Sequence, residues 1–137
     1  MSTTPTLLLD ENGEALIVQE GESCNVVCAF IDMSGVAILK ASLISLTVSL
    51  WNLNTTLRIN NRKDQSVLDV NNGVVATDGA LTLRLGSLDN IIAGTLSAGE
   101  IETHVLEFTW TWNDGVAVRT GKSEPLWLQV EKLVVVT

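Results

Sequence analysis

Apolar and polar residues alternate with a period of two along most of this chain. In "SLISLTVSLW", Ile44, Leu46, Val48 and Leu50 alternate with Ser45, Thr47 and Ser49. Such a run predicts an antiparallel strand with one buried and one solvated face. "SCNVVCAFI" places Cys24, Val26, Cys28 and Phe30 on one face, and "GALTLRLG" does the same for Leu81, Leu83 and Leu85. In "HVLEFTWTW" the inward set is Leu106, Phe108, Trp110 and Trp112, opposite Val105, Glu107, Thr109 and Thr111. "LWLQV" sets Leu126, Leu128 and Val130 against Trp127 and Gln129.

Turn signals punctuate these runs at Asn12-Gly13, Met33–Gly35, Asn71–Gly73, Thr77–Gly79 and Asn113–Gly115. Residues 6–19 read as an N-terminal hairpin around Asn12-Gly13. "KDQSVLDV" (Lys63–Val70) suits a short helical turn capped by Asp64, and "SLDNIIAGTLSAGE" an irregular crossover with one 3₁₀ turn. About seven to eight short, evenly spaced strands with no long helical stretch predict an all-β, antiparallel β-sandwich or barrel. At 137 residues a single domain, 1–137, is expected. The stretch "VQEGESCNVVCAFIDMSGVAI" resembles the early strands of immunoglobulin-like domains, without the Cys…Trp…Cys framework of antibody domains.

The row Phe108, Trp110, Trp112 is either a stacking platform or the inside of a sandwich. Burial explains it directly, since each aromatic removes roughly 150–250 Å² from water. A sugar platform generally adds hydroxyl-binding polar groups and Tyr, and this chain contains no Tyr. Trp112, at the strand end, also suits a protein contact. Trp127 has the outward parity of its strand and is the better candidate for an exposed anchor.

Acidic residues outnumber basic ones, 16 to 8, for a formal charge of −8. That balance opposes direct binding to nucleic acid or an anionic membrane, both of which need a basic footprint. No apolar run approaches the ~20 residues of a membrane span. The start, "MSTTPTLLLDENG", lacks the regions of a secretory signal, so the expectation is a protein kept in the cytoplasm or released by another route. Cys24 and Cys28 lie four residues apart. On a strand that spacing spans ~13 Å, beyond the ~7 Å Cα separation a disulfide needs. Two thiols filling a core face are expected, and no zinc site.

Catalytic chemistry finds no support in spacing. His104, the sole histidine, has core parity and reads as a hydrogen-bonded structural imidazole. Gly121-Lys122-Ser123 lacks the rest of a phosphate loop and sits between strands. No catalytic, metal or cofactor site is expected. Arg58, Arg62 and Lys63 form a small basic cluster, read as solvated loop charges or as salt-bridge partners for a neighbouring subunit.

One long string carries a family resemblance. Trp51 ends a strand; Ile59, Asn60, Arg62, Gln65, Val67 and Leu68 follow in an "IN-x-R-x-x-Q-x-VL" run. Then come Asn72-Gly73, Gly79, Leu81, Thr82, Asp89-Asn90, and an "E-x-H-x-x-x-F-x-WTW" strand holding Glu102, His104, Phe108 and Trp110 to Trp112. Across about Leu43 to Leu133 the chain resembles a group of small proteins of tailed bacteriophages and prophages, encoded among virion structural genes. The resemblance implies an immunoglobulin-like sandwich and a part of a virion, made in the host bacterial cytoplasm. A capsid decoration (cement) protein bound to the major capsid protein is the leading expectation. A neck or tail accessory and a carbohydrate-binding adsorption module are the alternatives. One departure concerns the C-terminal edge, where "KSEPLWLQV" brings Pro125 into the last strand, so contacts at that edge are expected to differ.

Candidate contact residues are Trp127, Arg58, Arg62 and the apolar tail 133–137, with Val134, Val135 and Val136 at its centre. A free apolar end is hazardous as an unpaired strand, so a homo-oligomer or a contact with another virion protein is expected there.

Overall fold

Wherever the period-two runs occur, strands form. A computed structural model describes residues 14, 16–92 and 96–132, together with the backbone of Thr6–Leu7. Its ten strands are β1 (Thr6–Leu7), β2 (Ile17–Gln19), β3 (Cys24–Cys28), β4 (Leu43–Asn52), β5 (Gln65–Ser66), β6 (Gly73–Val75), β7 (Leu81–Leu85), β8 (Ile101–Asn113), β9 (Val118–Lys122) and β10 (Leu126–Glu131).

They build two sheets. The smaller has the order β3-β7-β6, all antiparallel. The larger is organised on β8, whose one edge pairs with β4 along its length. Its other edge pairs first with β10 and then with β9. β1 and β2 lie in succession along the far side of β10, both parallel to it, and β5 flanks β4. This is an immunoglobulin-like β-sandwich, with the first strands parallel to the last. The break between β9 and β10 falls at Ser123–Pro125. Pairing with β8 still crosses it: the Ser123 N–H donates to the Phe108 carbonyl at 2.9 Å, and the Ser123 hydroxyl accepts the Phe108 N–H at 2.8 Å.

The core lies between the sheets. Leu46, Val48, Leu50, Leu106, Phe108, Leu128 and Val130 face Val26, Val75, Leu81, Leu83 and Leu85, all buried. The aromatic row belongs here: Phe108, Trp110 and Trp112 are buried. Phe30 meets Phe108 edge-on at 5.7 Å between ring centroids and Trp110 at 4.9 Å. That settles the row as sandwich interior, including Trp112.

Several expectations are corrected. Within the expected 6–19 hairpin, the described strands β1 and β2 run in the same direction and each pairs with β10; the residues between them that include Asn12-Gly13 lie outside the described residues. Ile44 is exposed, because a bulge between Leu43 and Ser45 shifts the register and gives the inward place to Leu43. Lys63–Val70 holds β5 instead of a helical turn. Asp64 and Asp69 have φ of 47° and 58°, and Asn60 and Asn61 just upstream have 52° and 56°. A right-handed helix cannot pass through left-handed residues. A 3₁₀ turn forms at Lys40–Ser42. Within "SLDNII" the backbone makes a turn closed by the Asp89 N–H on the Gly86 carbonyl at 3.1 Å, and residues 93–95 of the expected crossover lie outside the described residues.

Candidate functional site

The polar residues of the motif string converge at one end of the sandwich. Asn52 ends β4 and pairs in register with His104 of β8, so the inner face turns polar there. Arg62 arrives from the β4–β5 connection and Asp89 from the turn after β7. Arg62 Nε donates to Asp89 Oδ1 at 2.5 Å and a terminal nitrogen to Oδ2 at 3.1 Å, a two-point pair with both side chains buried. Arg62 also reaches Gln65 Oε1 at 2.9 Å and the Asn71 carbonyl at 3.3 Å. Asp89 accepts further bonds from Asn60 Nδ2 at 2.9 Å and the Gly86 N–H at 2.8 Å. Burial alone would raise the Asp89 carboxyl. The hydrogen bonds from Arg62, Asn60 and Gly86 outweigh it and hold the group below its ordinary value. Next to it, buried Asn90 donates to the Glu22 carbonyl at 2.6 Å and ties the turn to the segment before β3.

This corrects the reading of Arg62. It is not a solvated loop charge: the side chain is buried, and it donates to Asp89, Gln65 and a backbone carbonyl within this chain. The partner lies 27 residues away on another loop, beyond the reach of local spacing.

His104 is fully buried, and its Nε2 stands 2.7 Å from Oε1 of buried Glu102. Burial lowers the imidazole from its ordinary value, against the opposing pull of Glu102 and the Asp89 backbone. Burial thus favours the uncharged ring, which shares one hydrogen bond with the Glu102 carboxyl through Nε2. The expected structural imidazole is what the geometry shows. His104 has no exposed surface, and among the described residues no three His, Cys, Asp or Glu side chains gather as a metal would need. Cys24 and Cys28 both face inward from β3, against the core. Burial pushes the Cys28 thiol up to about 12 and raises Cys24 as well.

On the outside of the larger sheet the structure brings together two residues singled out separately in the sequence. Trp51 of β4, Val105 of β8 and Trp127 of β10 stand side by side in register. Val105 is buried between the two half-buried indoles although it faces outward. The Arg58 guanidinium lies over the Trp51 ring, 5.0 Å from its centroid. Arg58 is exposed. Trp127 keeps its outward parity but shares a half-buried strip with Trp51 instead of standing alone as an exposed anchor. The contribution of Trp51 was missed, although its odd-numbered parity within "SLTVSLW" signalled an outward aromatic. Val134, Val135 and Val136 lie outside the described residues, as does the rest of the tail 133–137.

Gly121 also has a place. It pairs with Trp110 across β9 and β8, and a Cβ there would stand 2.6 Å from Cζ2 and Nε1 of the indole. The glycine serves aromatic packing.

No helix among the described residues is long and apolar enough to cross a membrane. No protein-family model matches the chain, and no curated protein matches it.

Proposed function

We propose that this chain is a non-enzymatic structural protein of a tailed-phage virion and that it decorates the capsid lattice by binding the major capsid protein. The observation that carries the reading is the outward strip of Arg58, Trp51, Val105 and Trp127. Aromatic and arginine side chains on a rigid sheet supply contact area at low entropic cost, the usual makeup of an interface centre. Arg62, Asp89, Asn90, Glu102 and His104 are buried in the frame, so the resemblance rests on residues that hold the sandwich together. With a charge of −8, encounter with a lattice would draw on apolar contact more than on bulk charge.

The test is to purify the virions, separate heads from tails on a density gradient and locate the chain by mass spectrometry. Recovery with DNA-free heads in fixed stoichiometry is the expected result. Recovery with tails only would move the protein to a tail accessory role. Absence from virions, with retention on a polysaccharide column, would replace the reading by a carbohydrate-binding module.

A further inference from the structure

At the other end of the sandwich, the connection from β3 to β4 and the β8–β9 turn enclose an open cleft of about 610 Å³, lined in part by Asp32, Leu39, Ser42, Trp112 and Asp114. The two most exposed large apolar side chains of the described residues belong to these two segments. Met33 is 85% exposed and Val116 90%. Val36, Leu39, Ile44 and Val118 add further exposed apolar surface on the same segments and the strands leading into them. Loop tips are ordinarily polar, and an apolar group of this kind rimmed by charge marks a contact surface.

The loops are built, not slack. Asp32 Oδ1 accepts the N–H groups of Ser34 and Val36 at 2.8 and 3.0 Å. Asp114 Oδ1 accepts those of Val116 and Ala117, both at 2.8 Å, and its other oxygen takes Arg119 Nε at 2.8 Å. Both knobs are thus held in place by a carboxylate at the base of their own turn. Two acids, Asp32 and Asp114, and one base, Arg119, line the cleft and its neighbour, which leaves a net negative rim.

We infer that this end is a second docking surface, and that its occupant is a virion protein presenting apolar side chains beside a Lys or Arg. The negative rim favours that occupant over a second copy of this acidic chain, whose own tip would meet it with like charge. The surface is distinct from the outward strip: Val105 and Trp112 are seven residues apart on β8, ~23 Å along a strand. The inference rests on the virion reading and adds a second point of attachment to it.

The experiment is sedimentation of the full chain with DNA-free capsid shells, and in parallel with purified tails. It compares the parent with Met33→Ser/Val116→Ser and with Trp127→Ala, and each protein is also sedimented alone. Both serine substitutions are on exposed side chains, so an unchanged melting temperature is expected. The proposal expects the double variant to bind the particle that the parent binds about tenfold or more weakly. Equal binding by parent and double variant, with Trp127→Ala impaired, would overturn the second surface and leave the virion reading standing. A parent dimer lost in the double variant would make the tip a self-contact and overturn the proposed occupant. A parent that binds neither particle would overturn both readings.

Discussion

The indole of Trp110 lies across the backbone of Gly121 on the neighbouring strand. β9 has no side chain at that point, so the ring covers it and still packs on Phe30. Gly121→Ala is expected to destabilise the protein by ~1–3 kcal/mol through overpacking. Trp110→Ala is expected to cost ~3–5 kcal/mol, the range for deleting a buried aromatic. In the double variant the added methyl meets no ring, so its cost should be less than the sum of the two single costs. Denaturant midpoints measure all three. Full additivity would mean that the glycine is present for another reason.

Arg62 and Asp89 form a pair whose separate members are expensive to leave alone. Arg62→Met should cost ~3–5 kcal/mol, because it strands a buried carboxylate. Replacing both, as Arg62→Met/Asp89→Leu, should cost clearly less than the single change. A single variant that melts with the parent would show that the pair is solvated in solution.

Acid should weaken the fold in two stages. His104 has a folded-state value below its ordinary 6.5, so the unfolded chain binds the extra proton more readily. Its contribution is complete above 6.5 and declines as pH falls below it. Asp89 is likewise depressed below 3.8, and its contribution is lost as pH falls below that value. Stability measured by urea melts should therefore fall on going from pH 7 to pH 5, and the slope should shrink in His104→Gln. A rise in stability over that interval would contradict a neutral buried imidazole.

The thiols should be slow in the native state. Burial raises Cys24, and raises Cys28 to about 12, so little thiolate is present at pH 8. Both should react with a thiol reagent promptly in denaturant without prior reduction, and sluggishly before. Native reactivity matching a free peptide thiol would place them outside the core.

Much of this architecture was legible because burial on one face of a sheet writes itself as alternation. β4, β7, β8 and β10 follow that rule, and the buried sets Leu81, Leu83, Leu85 and Leu106, Phe108, Trp110 match it. Three kinds of feature escaped. The bulge at Ile44 leaves no local mark beyond a shift in phase. β9 is exposed along most of its length and contains a glycine, so it has no alternation to read. The turns between β4 and β6 rely on Asn and Asp residues at positive φ, which sequence alone does not distinguish from a capped helical turn. The candidate contacts divide on the same principle. Arg58 and Trp127 share a face because register fixes neighbours across strands. Arg62 was misplaced because its partner is set by tertiary structure.

We propose that the outward strip on the larger sheet attaches this protein to a capsid. The most direct measurement is a saturation curve of bound copies per DNA-free capsid for the parent and for Trp51→Ala/Arg58→Ala/Trp127→Ala, each shown to be folded by its thermal melt. The expected result is saturation of the parent at a fixed copy number, and binding of the triple variant about tenfold or more weaker. A parent that remains in the supernatant at every concentration, or a folded triple variant that saturates with the parent's curve, would contradict it.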